Sequence, residues 1–158
     1  AFGETFVIPD AMTLEVGAKV PGTDGQKMSK SYDNTLPLFG DVKKIRKQIM
    51  RVTTDSRPME DPKEPEGDHL FDLYQLFASE SQIAEMAAMY RRGNFGYGEV
   101  KKAVAEVSEN YFADARARRD DLADNLDHVH AVLKTGAEKA RAVAAGVLNR
   151  ARTACGLR

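Results

Sequence analysis

Gly22-Thr23-Asp24-Gly25-Gln26-Lys27-Met28-Ser29-Lys30-Ser31 is the stretch on which the reading of this chain turns. Two lysines three residues apart alternate with two serines, behind a loop that carries two glycines. Glycine lets such a loop change conformation at low steric cost. Backbone N–H groups, ammonium groups and hydroxyls gathered at a turn ahead of a helix make a cradle for polyphosphate. Lysine suits the task because a flexible stem delivers a compact charge to a moving target. When a pyrophosphate departs, charge grows on its oxygens, and cations that tighten onto it only then lower the barrier. A Lys-x-x-Lys pair alone is an ordinary basic surface loop. The five-residue string and its surroundings carry the weight.

Upstream, residues 1–26 hold Pro9, Pro21, Gly17, Gly22 and Gly25, with β-prone runs at Phe6-Val7-Ile8 and Lys19-Val20. They predict two short strands or extended segments and a Gly-punctuated loop, the trailing edge of a larger α/β unit. The chain opens on Ala1 instead of Met, which reads as a piece of a longer protein. Downstream the pattern becomes helical. Val42, Ile45 and Ile49 recur at helical spacing behind Asp41 as N-cap. Residues 53–67, with Pro58, Pro62 and Pro65, predict a loop. Asp68 caps a helix with an apolar stripe of Leu70, Leu73, Tyr74 and Phe77. Ser79 and Gln82 have the capping-box spacing ahead of a third helix, with Ile83, Met86, Ala87 and Tyr90 inward and Gly93 closing it.

Gly96-Tyr97-Gly98 predicts a tight turn, then a long helix with Val100, Ala103, Val104, Val107 and Tyr111 inward. That helix is expected to end near Arg119, because Asp120 and Asp121 suit a helix C-terminus poorly. A shorter helix carrying Leu126, Val129 and Leu133 follows, and a last one from about Gly136 to Ala154. The fold class is mainly α, a helical bundle behind a short extended lead-in. Tyr74, Phe77, Tyr90 and Tyr111 are expected in its core, and Cys155 as a small packing residue.

Length allows one domain with a real core. No apolar stretch nears the roughly 20 residues that span a bilayer, and no leader is visible. One cysteine without ligand-spaced partners points to a cytoplasmic protein with no metal site of its own. His128 and His130, two residues apart on a helix, face different ways and cannot chelate together. The formal net charge of −1 hides a pattern. Lys27 to Arg51 carries seven basic residues against two aspartates, Asp55 to Asp68 carries six acids against two bases, and Lys134 to the end carries six bases against one acid. Two basic segments flanking an acidic one suit phosphate contacts at two places, and equally suit solvated helix faces.

Lys27-Met28-Ser29-Lys30-Ser31 reproduces the KMSKS signature of class I aminoacyl-tRNA synthetases. Tyr32 to Phe39, Thr54-Asp55-Ser56, Gly67 to Phe71, Gly96-Tyr97-Gly98 leading into Lys101, Gly136 to Arg141 and Gly156-Leu157 resemble, in that order, segments of the tryptophanyl-tRNA synthetases. The likeness runs from about Val7 to the end and is to the C-terminal portion of a bacterial-type member. It implies that residues 1–36 end a Rossmann-like catalytic domain and that residues 37–158 form a helical anticodon-binding domain.

The same resemblance assigns Lys27 and Lys30 to the ATP phosphates as catalytic residues, Lys30 foremost. Met28, Ser29 and Ser31 join them in ATP binding, and Val20 lies in a segment whose backbone contacts adenine. It further implies tryptophan, tRNA(Trp), ATP with Mg²⁺, and a homodimeric, cytoplasmic ligase. Lys43, Lys44, Lys47 and Arg51, with Arg141 on the last helix, are candidates for tRNA backbone contacts. The family's His/Asn-Gly-His string and its amino-acid pocket are absent from this sequence. The chain alone is therefore expected not to form an adenylate. A synthetase for another amino acid such as tyrosine, or a non-catalytic helical RNA-binding module, are the competing readings.

Overall fold

A computed structural model describes residues 2–13 and 17–157. Its elements are α1 (Val42–Ile49), α2 (His69–Tyr74), α3 (Glu80–Arg92), α4 (Tyr97–Tyr111), α5 (Ala113–Ala123) and α6 (Leu126–Ala154), with a single 3-10 turn at Lys30–Tyr32. The fold is mainly α. Residues Thr13–Arg116 form one compact unit, and Ala1–Met12 with Ala117–Arg158 form another.

In the first of these units, local chemistry starts each early helix where the sequence predicts. The Asp41 carboxylate accepts the Lys43 N–H, and the Asp68 carboxylate accepts those of Leu70 and Phe71. Ser79 and Gln82 make the full reciprocal capping box. Each cap satisfies N–H groups that the helix itself leaves without partners. The apolar faces then converge, with α1 and α2 both packing on α4. Ile45, Ile49, Leu70, Leu73, Val100 and Val104 are buried there. Each such side chain contributes about 1.5–3 kcal/mol on leaving water. Tyr90 of α3 is fully buried between the rings of Phe71, at 5.7 Å, and Phe95, at 4.8 Å.

Several expectations change. No tight turn precedes α4: the helix begins at Tyr97, with Gly96 as an N-cap that offers no side-chain bond. The long helix breaks at Phe112, where the backbone leaves helical angles, and not near Arg119. Phe112 turns its ring onto Phe39, Phe77 and Tyr111, and the Arg116 guanidinium caps α4 by donating to the Glu109 carbonyl. Asp120 and Asp121 lie within α5, exposed, where water screens them. Tyr111 is 61% exposed, touching Phe77 and Phe112 with one side of its ring.

In the other unit, α6 is one helix of 29 residues where two were expected. Gly136 and Gly146 lie inside it. Each costs about 1 kcal/mol against alanine, too little to halt a helix otherwise rich in alanine once nucleated. No residue of α6 is buried, and Cys155 just beyond it is exposed, not packed. Phe6-Val7-Ile8 is not a strand. Among the described residues it pairs with nothing, and all three side chains are exposed. The only bridge described is an isolated antiparallel one between Pro21 and Lys27. Ala1, from which the chain was read as a piece, lies outside the described residues.

Candidate phosphate-binding loop

The glycine-rich stretch folds back on itself as a small irregular ribbon. Met28 N–H donates to the Val20 carbonyl at 2.8 Å and Gly22 N–H to that of Gln26 at 2.7 Å, one on each side of the Pro21–Lys27 bridge. The bridge brings Val20 beside the Lys27–Ser31 string. Ser29 then caps the 3-10 turn, its hydroxyl accepting the Ser31 N–H at 3.3 Å and lying 2.8 Å from the Ser31 hydroxyl. Asp33 closes the turn in the left-handed region, φ 52°, a conformation that Asp and Asn tolerate better than most residues.

Two glycines are required here by geometry. A Cβ on Gly22 would sit 2.5 Å from the Asn34 side chain, and Gly25 has φ +78° with the His69 ring where its Cβ would go. Asn34 occupies the space that Gly22 leaves. It is 2% exposed, and both polar atoms of its side chain are bonded. Its Oδ1 accepts the Ser29 N–H at 2.8 Å, and its Nδ2 donates to Asp24 at 2.8 Å and to the Lys27 carbonyl at 3.2 Å. Its own carbonyl accepts the Thr23 N–H at 2.9 Å. The bond from Asn34 is the main reason the Asp24 carboxyl sits below the usual carboxylate range, and the Gln26 N–H adds to it.

Asn34 was not predicted as a site residue. An Asp-Asn pair at the end of a turn was a signal, since Asx side chains favour such places, but its partners are 5 to 10 residues away.

The lysines stand clear of this scaffold. Lys27 and Lys30 are exposed, and neither makes an ion pair among the described residues. Met28 is half-buried and lines an apolar groove of about 490 Å³ with Val20, Leu36, Ile45, Ile49 and Phe77. The loop is therefore fastened by Asn34 on its polar side and by Met28 on its apolar side, and its charged ends project. Lys43, Lys44, Lys47 and Arg51 are exposed on and just after α1. Arg46, between them, is committed to a two-point pair with Glu109 at 3.0 and 3.1 Å. Arg141 is exposed on α6, in the other compact unit.

A second, polar cleft of about 370 Å³ lies under residues 53–69 and includes Thr54, Asp55, Arg57, Asp68 and His69. Burial works to raise the Asp55 carboxyl, but hydrogen bonds from Arg57 outweigh it and hold it below the usual range. Burial, and then the Asp68 carboxylate that accepts its O–H at 3.0 Å, push the Tyr90 phenol far above its usual range. Among the described residues no three His, Cys, Asp or Glu side chains are grouped to hold a metal ion, and no helix is long and apolar enough to cross a membrane.

The Lys27–Ser31 string, which resembles the class I aminoacyl-tRNA synthetase signature, thus lies on a glycine-rich ribbon ahead of capped helices. The family model described as tRNA synthetases class I (W and Y) matches residues 1–113, and the chain belongs to that family. It is 72% identical to the tryptophan–tRNA ligase of Rhodopirellula baltica over all 158 of its residues, which are 49% of that protein. It is 41% identical to the tryptophan–tRNA ligase of Fusobacterium nucleatum over 154 residues, 98% of this chain and 47% of that one. The chain thus spans about half the length of the curated relatives it matches. The crystal structure of tryptophanyl-tRNA synthetase from Campylobacter jejuni complexed with ADP and tryptophan superimposes with a TM-score of 0.79 at 39% identity, covering 99% of this chain and 49% of that one.

Proposed function

We propose that this chain supplies the phosphate loop and the helical part of a tryptophan–tRNA ligase, which activates tryptophan with ATP and transfers it to tRNA(Trp). The observation that carries this reading is the Lys27–Ser31 string, held on a bonded ribbon with both lysines exposed and neither in an ion pair among the described residues, in a chain 72% identical to such a ligase. Residues 1–36 end the catalytic domain and residues 37–158 form the anticodon-binding domain. The exposed Phe6, Val7, Ile8 and Met12 support an apolar edge that packs on residues beyond this chain. Relatives named as tryptophan enzymes favour tryptophan over tyrosine, although the family model covers both. The resemblance supports a homodimeric, cytoplasmic enzyme.

In this reading Lys27 and Lys30 meet the β- and γ-phosphates. Ser29 and Ser31 offer their hydroxyls, their own N–H groups being held by Asn34 Oδ1 and the Ser29 hydroxyl, and Val20 presents backbone to adenine. Mg²⁺ bound with the nucleotide would supply neutralising charge there; the chain's own contribution is the lysines. Lysine contacts that strengthen as the α–β phosphate bond breaks stabilise the leaving pyrophosphate.

The test uses a chimera in which this chain replaces the matching half of the Rhodopirellula baltica ligase. Lys30→Ala should lower tryptophan-dependent ATP–pyrophosphate exchange by about 10²–10³, as loss of one such donor does in other enzymes. An unchanged rate contradicts the assignment. The 158-residue chain alone should show no tryptophan-dependent exchange, and robust turnover by it contradicts the division of labour. For the tRNA half, reversing the charges of Lys43, Lys44, Lys47 and Arg51 in the chimera should weaken tRNA binding and flatten its salt dependence. Unchanged affinity and slope remove that group. The same readout on Arg141→Glu tests the α6 candidate.

A further inference from the structure

The geometry assigns Asn34 as the positioning residue of the phosphate loop, with Asp24 as its counterpart in a latch that fixes the loop's stem and leaves the lysine ends free. The role in catalysis rests on the functional reading above; the latch itself does not. One planar amide grips the main chain on both sides of Met28, accepting from Ser29 N–H and donating to the Lys27 carbonyl. The same head donates to Asp24, which also accepts the Gln26 N–H at 3.0 Å, so the glycine loop and the lysine string are tied through one side chain. The amide orientation is set by its neighbours. Ser29 N–H can only donate, whereas the Lys27 carbonyl and the Asp24 carboxylate can only accept.

Only an amide side chain puts an acceptor and two donors on one planar head, and asparagine does so on the shorter stem. Aspartate has the acceptor but no donor, and leucine has neither. Because Gly22 has no Cβ, the amide can sit flush against the ribbon. Lys27 and Lys30 thus start from a fixed main chain, and their stems alone adjust as phosphate moves. A loop without the latch must be ordered by the substrate, at the expense of binding energy otherwise available to the transition state.

Asn34→Asp breaks the latch with little change of shape: the new carboxylate faces the Asp24 carboxylate and the Lys27 carbonyl, is repelled by both, and is driven away from the Ser29 N–H as well. In the 158-residue chain, the Ser29 amide should then exchange with solvent at least about ten times faster at neutral pH, while the amides of Leu70 and Val104 in the core keep their protection. In the chimera, the exchange reaction should lose at least about tenfold in kcat, with the KM for tryptophan unchanged.

Acidification should restore part of both, because two facing carboxylates take up a shared proton more readily than either does alone. The exchanged pair Asp24→Asn with Asn34→Asp should also restore part of both, since residue 24 then donates to residue 34. Wild-type protection of Ser29 in Asn34→Asp overturns the latch. So does a loss that neither acid nor the exchanged pair relieves, or one accompanied by loss of core protection. If Lys30→Ala leaves the chimera's rate unchanged, the catalytic reading fails, and amide exchange in the chain still decides whether the latch exists.

Discussion

Two stretches of this protein outside the α-helices, residues 20–34 and 53–67, are each organised by one buried polar side chain, and the two side chains do opposite work. Asn34, 2% exposed, accepts one bond and donates two. Lys63, 1% exposed, only donates: its ammonium group reaches the carbonyls of Pro58, at 2.8 Å, and Asp61, at 3.0 Å, with that of Met59 at 3.5 Å. It lies 4.5 Å from the centre of the Phe95 ring and 5.8 Å from that of Tyr97. Its backbone also joins Tyr90, and Phe95 N–H joins Met59. The acidic loop is therefore pinned onto the aromatic core, whereas the candidate phosphate loop is pinned chiefly to itself. A residue that ties loop to core should govern stability. One that ties a loop to itself should govern what the loop presents.

The largest effect expected from this contrast is at Lys63. Lys63→Met keeps the length but leaves buried carbonyls without their charged donor, and should destabilise the Thr13–Arg116 unit by about 3 kcal/mol. Urea unfolding measures it, and a loss under about 1 kcal/mol would break the contrast. Next is Gly25→Ala, which places a side chain at φ +78° and against the His69 ring. A cost of about 1–3 kcal/mol is expected for that backbone alone. Unfolding near wild type would show that the loop relaxes freely and is not held.

The smallest effect is the titration of Asp24. Its carboxyl is held down chiefly by Asn34, so the bond contributes at neutral pH and down through the usual carboxylate range. It is lost only as pH falls through the depressed folded value. The Gln26 amide resonance should report a midpoint below the usual range, and Asn34→Ala should move that midpoint upward. An unmoved midpoint would mean that Asn34 does not hold the carboxylate.

How much of this was legible in the sequence follows the range of the interactions. Asp41, Asp68 and Ser79 cap helices through residues two or three positions away, so spacing alone located them. The lysine–serine string was legible because its chemistry is contiguous. The break at Phe112 was not, because aromatic contacts to Phe39 and Phe77 decide it. Nor was the continuity of α6, where glycine looked like a boundary and the alanines around it carried the helix through. Lys63 read as one base in an acidic run, since its burial depends on Phe95 and Tyr97, more than 30 positions on. Asn34 stood within the quoted resemblance yet carried no role until its two faces were seen bonded.

The most direct test compares Asn34→Asp with Lys63→Met in the chimera, at a temperature where both are folded, by tryptophan-dependent ATP–pyrophosphate exchange. The loop that is tied to itself should set the rate. Asn34→Asp should be slow with its unfolding midpoint near wild type, and Lys63→Met should turn over normally while unfolding at lower urea. The reverse pattern, or equal losses of rate in both, would contradict the account.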